Sequence, residues 1–287
     1  MRGTILLATA VLALVAGCGA DEAQEPVALT GPLAPLGRLE GSLDIAGGTA
    51  HIPVMKEAAK RIMTANRKIR ITVAGGGSGV GVQKVGEGLV HIGNTGRPVS
   101  AAENERYGLR SFAFAVDGVA VIVHPENPVR DLTSRQVRDI FAGKITRWKE
   151  VGGPDERINL YGRDEASGTR KVFWKIALQK GEVAKSANVV PSNGAMKTAV
   201  SNDPCAIGYL SIGHVDGKVA AVGLDGIAAT QANARDGTYP VTRKLFMNTR
   251  GEPTGLTRAF LDYVLSEEGA AIVEGAGYLP LSSAPAD

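Results

Sequence analysis

The chain has 287 residues, with 32 Lys and Arg against 29 Asp and Glu, and its formal charge of +3 falls by one if Arg2 leaves with a signal segment. That balance excludes a partner recognised chiefly by charge, nucleic acid above all, and an aromatic content of 5% argues against a base-stacking platform. His51, His91, His124 and His214 are scattered, so neither they nor the two cysteines show a metal-ligand spacing, and no cofactor is implied.

Residues 1–17 start with a basic residue, continue as the apolar run Ile5 to Val15 and end in Ala16 and Gly17. This is the pattern of a secretory signal peptide, too short for a lasting transmembrane helix. Val15-Ala16-Gly17-Cys18 resembles a bacterial lipobox, which implies cleavage before Cys18 and lipid attachment to its sulfur. Residues 18–40 then read as a lipid-anchored tether, since Asp21 to Pro35 is rich in Ala, Pro, Glu and Gln and has no sustained apolar period. The expected location is extracytoplasmic, on a bacterial membrane. Cys205, left without a partner, is expected to be a small buried apolar residue.

From Gly41 onward short β-branched runs alternate with amphipathic helical stretches, the pattern of an α/β fold with mainly parallel sheets. Strands are predicted at Ser42 to Ala46, Ile69 to Ala74, His91 to Asn94, Val119 to His124, Ile158 to Tyr161, Ala206 to Leu210 and Lys244 to Met247. Helices are predicted at Ile52 to Asn66, Ser134 to Ala142, Thr169 to Gln179, Gly194 to Ser201 and Leu256 to Leu265. Thr133 and Gln136 have the spacing of a capping box. The body is longer than one typical core fills, so two lobes are expected. Residues 41–123 with 241–287 form lobe 1, and residues 124–240 form lobe 2, inserted in the first and joined to it by two crossover strands. That arrangement suits a hinge closing over a cleft.

Three strand-to-helix loops carry anion-binding chemistry. Gly47-Gly48-Thr49-Ala50 precedes the first helix, where unpaired N–H groups and the Thr49 hydroxyl point at whatever lies over the helix start. Gly75 to Gly81, containing Ser78, is either a close-approach loop or a flexible turn. Arg163 to Thr169 leads into a helix, so that Ser167, Gly168 and Thr169 can hold an oxyanion while Arg163 adds a two-pronged charged contact. The plainer alternative makes Ser167 an N-cap and Arg163 a surface charge. Neither the dinucleotide glycine fingerprint, nor Walker A, nor the Gly-x-Ser-x-Gly elbow fits these loops. Trp148 and Phe141 are expected to pack lobe 2, and Asp117-Gly118 reads as a turn or cap. Asn193-Gly194 reads the same way, with Asn193 possible at the cleft border.

These loops, with Ile92 to Pro98, Leu132 to Trp148 and Ala206 to Tyr209, occur in the order seen in the phosphate-binding receptors of ABC transporters, which the body resembles over nearly its whole length. The resemblance implies a two-lobed type II periplasmic binding protein, not an enzyme. It would hold inorganic phosphate between its lobes for delivery to ABC permease subunits. Carried over residue by residue, it implies Thr49, Ala50, Ser78, Arg163, Ser167, Gly168 and Thr169 as ligand-binding residues. Many relatives have an aspartate where Gly96 stands, so Gly96, Arg97, Asp164 and Glu165 become candidates for reading the proton that phosphate carries and sulfate lacks. For Arg97 the plainer reading is an ion pair with a surface acid. The alternatives are a receptor for another tetrahedral oxyanion (sulfate, molybdate or arsenate) and an extracytoplasmic phosphatase using Ser78.

Overall fold

The computed structural model describes residues 29–281, so the signal peptide and Cys18 expectations lie outside the described residues. The elements in chain order are β1 (Gly41–Gly47), α1 (Ile52–Ala65), β2 (Ile69–Gly76), α2 (Ser78–Gly86), β3 (Ile92–Thr95), α3 (Ala101–Tyr107) and β4 (Leu109–Val123). There follow β5 (Asp131–Leu132), α4 (Ser134–Phe141), β6 (Asn159–Arg163), α5 (Gly168–Ile176), β7 (Asn188–Val190), α6 (Asn193–Ser201), β8 (Ala206–Ser211) and β9 (Ala220–Leu224). The last are α7 (Gln231–Arg235), β10 (Thr242–Arg250), α8 (Gly255–Leu265), α9 (Glu267–Gly275) and β11 (Leu279–Pro280).

The hydrogen-bonded strand order is β2-β1-β3-β10-β4-β8-β6-β7. β1 pairs in parallel with β2 and β3, as helical crossovers require, while β10 is antiparallel to both β3 and β4. β4 is the strand shared by two halves. Its residues 109–118 pair with β10, and from Val119 onward it pairs with β8. The two larger hydrophobic cores divide in the same place. One contains Leu43, Ile45, Val54, Ile62, Phe114, Ala115, Leu245 and Phe260; the other contains Val119 to Val123, Phe141, Trp148, Phe173, Ile207, Tyr209 and Val241. The chain therefore has two lobes, the second inserted in the first. Because Val119 to Val123 pack with the second core, the first changeover lies between Ala115 and Val119, a few residues before the position expected from the Pro-rich connection at 124–128.

Local sequence accounts for most element ends. Pro53 stands in the first turn of α1, and Val54, Met55, Ala58, Ala59 and Ile62 form its buried stripe. Thr133 and Gln136 form the capping box of α4, and Ser100 and Glu103 form another at α3. Trp148 and Phe141 are fully buried in lobe 2, as their sequence context predicts.

Two expectations are corrected, for the tether and for Cys205, and one open alternative is decided. The tether expected over residues 18–40 ends sooner, because residues 31–38 form a 3-10 helix whose Leu36 is 1% exposed within the first core. The Asn66 side-chain amide donates to the carbonyls of Leu36 and Leu39 at 2.9 and 2.8 Å, so the segment is fastened to lobe 1 by apolar burial and by capping bonds. The Gly75 to Gly81 stretch is not a flexible turn: Gly76 ends β2, Gly77 takes φ +89°, and α2 starts at Ser78. Its glycines let α2 lie directly on the sheet, and a β-carbon at Gly81 would strike the carbonyl of Asn94 and the Cα of Gly47. Cys205 is half-buried, its carbonyl accepting from the Trp148 indole at 3.0 Å.

Candidate functional site

Gly48, Thr49, Ala50, His51, Gly77, Ser78, Gly96, Arg163, Ser167, Gly168, Thr169 and Arg243 surround one small cavity of about 10 Å³, measured as the room open to the centre of a water molecule. All seven residues expected to bind a ligand thus face one space, together with Gly96. Arg97, Asp164 and Glu165 do not line it. Arg97 is held by Glu103 at 2.6 and 2.7 Å, the ion pair that its plainer reading anticipated. Burial works against the charge on Glu103, but hydrogen bonds from Arg97 and Ser100 hold its pKa down at about 2. Glu165 is exposed, and Asp164 is partly exposed with its Oδ1 buried and without a hydrogen-bond partner; neither is among the cavity's lining residues.

The cavity lies where the two lobes meet. Thr49 and Ala50 come from the 3-10 turn Thr49–His51 before α1, and Ser78 begins α2, both in lobe 1. Ser167 caps α5 in lobe 2, accepting from the N–H of Arg170 at 3.1 Å, and Gly168 and Thr169 are the first residues of that helix. As its first two N–H groups, those of Gly168 and Thr169 have no carbonyl within the helix to bond. The positive ends of α2 and α5 converge on the cavity from opposite lobes. The lobes are bridged beside it: Asn193 donates through its backbone and side-chain nitrogens to the Thr49 hydroxyl at 3.2 and 3.1 Å. Gly79 donates to the carbonyl of Ala166 at 2.9 Å, and Arg243 to the Thr169 hydroxyl at 2.9 Å.

The hydroxyls share one polarity. Thr49 accepts from Asn193, Ser78 from the N–H of Gly96 at 3.0 Å, Ser167 from Arg170 and Thr169 from Arg243. Each hydroxyl is thereby used as an acceptor by the protein, and among the described residues none of the four donates to a protein group. Their protons are left for whatever occupies the cavity.

Charge follows the same direction. Arg163 is 3% exposed, and it donates to the carbonyls of Val190 and Pro191 at 3.0 Å and toward the Asn193 side-chain oxygen at 3.5 Å, with no carboxylate among these partners. Burial lowers its pKa, against the opposing pull of Tyr209 and of the Asp164 carboxylate. Arg243 is buried too, but Asp117 takes its Nε and Nη2 at 2.9 and 2.8 Å. Burial pushes the Asp117 carboxyl up against the opposing pull of Arg243. The Ser211 hydroxyl donates to Asp117 at 2.8 Å. His51 is fully buried with both ring nitrogens unpartnered, and it packs on Phe114 at 5.5 Å between ring centroids. Burial, and then the charge of Arg243, lowers its pKa to about 3, so the imidazole is neutral.

Arg243, Asp117 and His51 were not anticipated at the site, and Asp117-Gly118 lies inside β4 instead of forming a turn. A usable signal existed for Arg243. Val241, Leu245 and Met247 alternate on the buried face of the strand, and Arg243 occupies the same phase, where an unpaired charge is not tolerated.

The arrangement is that of a two-lobed binding protein that encloses a small anion between helix starts. Residues 32–268 match the family model described as a PBP superfamily domain. The phosphate-binding protein PstS of Bacillus subtilis is 39% identical over 250 residues, which cover 85% of this chain and 82% of that protein. The crystal structure of a phosphate ABC-transporter substrate-binding protein of Clostridium perfringens with bound phosphate has a TM-score of 0.80 and 34% identity, covering 84% of this chain and 100% of that one. An ABC-type phosphate transport receptor of Vibrio cholerae matches with a TM-score of 0.67 and 31% identity, over 83% of this chain and 99% of that one. The chain belongs to the PBP superfamily, and within it to the family of the PstS phosphate-binding proteins.

Proposed function

We propose that the protein is an extracytoplasmic receptor that captures inorganic phosphate between its lobes and delivers it, enclosed, to ABC permease subunits. The observation that carries this reading is the set of four hydroxyls around one cavity, none of which donates to a protein group among the described residues, beside the buried Arg163. Neutral donors on two helix starts solvate an anion without a full counter-charge, and enclosure removes competing water. Thr49, Ala50, Ser78, Arg163, Ser167, Gly168 and Thr169 are its ligand residues. Residues 41–118 with 242–281 serve as one jaw and residues 119–241 as the other. Cys18 carries a lipid anchor exposed by removal of residues 1–17, which places the receptor beside its permease. No catalytic role is assigned. The hydroxyl of Ser78, the one nucleophile the sequence offered, is hydrogen-bonded to a backbone N–H and to no general base.

Isothermal titration of the purified body with phosphate tests the assignment. A stoichiometric exothermic or endothermic isotherm supports it, and a flat trace at millimolar phosphate refutes it.

A further inference from the structure

A second opening lies beside the anion cavity, with Arg243 on the wall of both. It is a groove of about 880 Å³, measured in the same way as the cavity's 10 Å³, and far larger than an inorganic anion needs. Lobe 1 forms one wall with Val99, Lys244 and Phe246, and lobe 2 forms the other with α5 and the turn after it. From α5 come Trp174 and Ile176, 39% and 36% exposed, two of the four large apolar side chains exposed among the described residues. Cations surround this apolar ground. Arg170, Lys171, Lys175, Lys180 and Lys244 line the groove, no Asp or Glu does, and none of the five pairs with a carboxylate among the described residues. The indole is fixed: its N–H donates to the carbonyl of Gly181 at 2.9 Å, and the backbone carbonyl of Trp174 accepts from the N–H of Lys180 at 2.8 Å. Gln179 and Lys180 take φ of +50° and +61°, two of the three positive values at non-glycine residues. Such backbone persists where its surroundings over-determine it, and here the turn carries Lys180 into the groove.

We propose that this groove is a docking site for an acidic segment of a protein partner, seated by apolar side chains against Trp174, selected by the surrounding cations, and complete only when the two lobes are together. A rigid, part-exposed Trp in a concave apolar setting is the usual anchor of a protein interface. A bilayer is flat and cannot follow a groove between two lobes. An extended chain can, presenting carboxylates and apolar side chains at alternate positions. The near-balance of charge over the whole chain hides this local excess, which gives selectivity while the apolar contact gives affinity. Because the walls belong to different lobes, the partner and an enclosed anion favour the same conformation, and each must raise the other's affinity by the same factor. That coupling rests on the proposed phosphate-binding function, whereas the docking itself does not.

The test is fluorescence anisotropy of a labelled peptide alternating Glu with Leu and Phe, titrated with the protein at saturating phosphate and again without it. Its affinity should exceed that of the same peptide with Gln for Glu by about tenfold, and should rise by about fivefold or more when phosphate is added. Trp174→Ala, and separately the double change Lys171→Gln with Lys175→Gln, alter exposed side chains. Each should cost the acidic peptide about fivefold or more, while phosphate affinity measured without peptide stays within about twofold, which also reports an intact fold. No binding at millimolar peptide, equal binding of the two peptides, indifference to both variants, or phosphate binding that leaves peptide affinity unchanged would each overturn the proposal. Sedimentation of the protein with phosphatidylserine vesicles, lost in Trp174→Ala, would give the face to a membrane and overturn it as well. If phosphate fails to bind while groove-dependent peptide binding persists, the receptor reading falls and the docking site stands.

Discussion

Asn193 grips the Thr49 hydroxyl with two nitrogens, at 3.2 Å from the backbone and 3.1 Å from the side chain, across the junction of the lobes. The same side chain accepts from the N–H of Ser211 at 3.3 Å, so one amide ties a lobe 1 ligand residue to two elements of lobe 2. Asn193→Ala should weaken phosphate binding by about 1 to 2 kcal/mol, roughly five- to thirtyfold, because Thr49 loses the side-chain donor and keeps only the backbone one, while the N–H of Ser211 loses its acceptor. Titration calorimetry measures this, and an unchanged affinity would mean that Thr49 needs no orienting partner.

Arg163→Ala should act on two quantities in opposite directions. Removing a charged hydrogen-bonding contact costs about 1.5 to 3 kcal/mol of binding, more than tenfold in affinity. Removing a buried cation that has no carboxylate partner relieves the ligand-free protein, whose melting temperature should hold or rise. The rise in melting temperature on adding phosphate should shrink accordingly. A variant that melts lower yet binds normally would make Arg163 structural.

Gly168 leaves no room for a side chain, since a β-carbon would fall on the Ser78 hydroxyl in the opposing lobe. Gly168→Ala should therefore hold the lobes apart and lower affinity about ten- to hundredfold, the usual cost of overpacking. Each core is untouched, so thermal stability without ligand should change little. Parallel titration and melting experiments separate the two effects.

Acid should unfold the protein through histidine before it does so through carboxylates. His51 titrates at about 3 and His214 at about 4, in each case chiefly through burial, against an ordinary value of 6.5. The unfolded chain takes up these protons first, so stability is full above pH 6.5 and falls as pH drops toward 4, by a few kcal/mol in total. The pair of Glu103 with Arg97 adds a separate loss between pH 4.5 and about 2. Denaturant unfolding at pH 7.5, 6 and 5 should show a falling midpoint, and His214→Asn should flatten part of the slope.

How much of this was readable in advance depended on whether a residue's role was local. The three strand-to-helix loops were legible because each combines a hydrophobic run, a small or hydroxylated residue and a helical period within a short window. Helix α2 was hidden by its glycines, since Gly79, Gly81 and Gly86 depress helix propensity, while Gly81 lets it pack on β1 and β3 and Gly86 makes room for Tyr107 of α3. The first half of β4 was missed because Arg110, Ser111 and Asp117 interrupt its apolar pattern, and Asp117 is tolerable there only because Arg243 arrives from β10. Such a pair leaves no local trace. The Asp-Gly step at 117 imitates a turn, and only the inward phase of Arg243 on its strand betrays that something buried must meet it.

The seating of Leu36 and the clamp from Asn66 alter how far the receptor can roam. If Cys18 bears the lipid, twelve residues lie between it and Gly31, where the fastened 3-10 segment begins, a reach of about 45 Å even fully stretched. Such an anchor would confine the body to a thin layer over the bilayer and hang it by lobe 1. Within such a layer a neighbouring permease would see an effective concentration on the order of millimolar. Docking between the two can then be weak and brief, which suits a carrier that must release its cargo and leave.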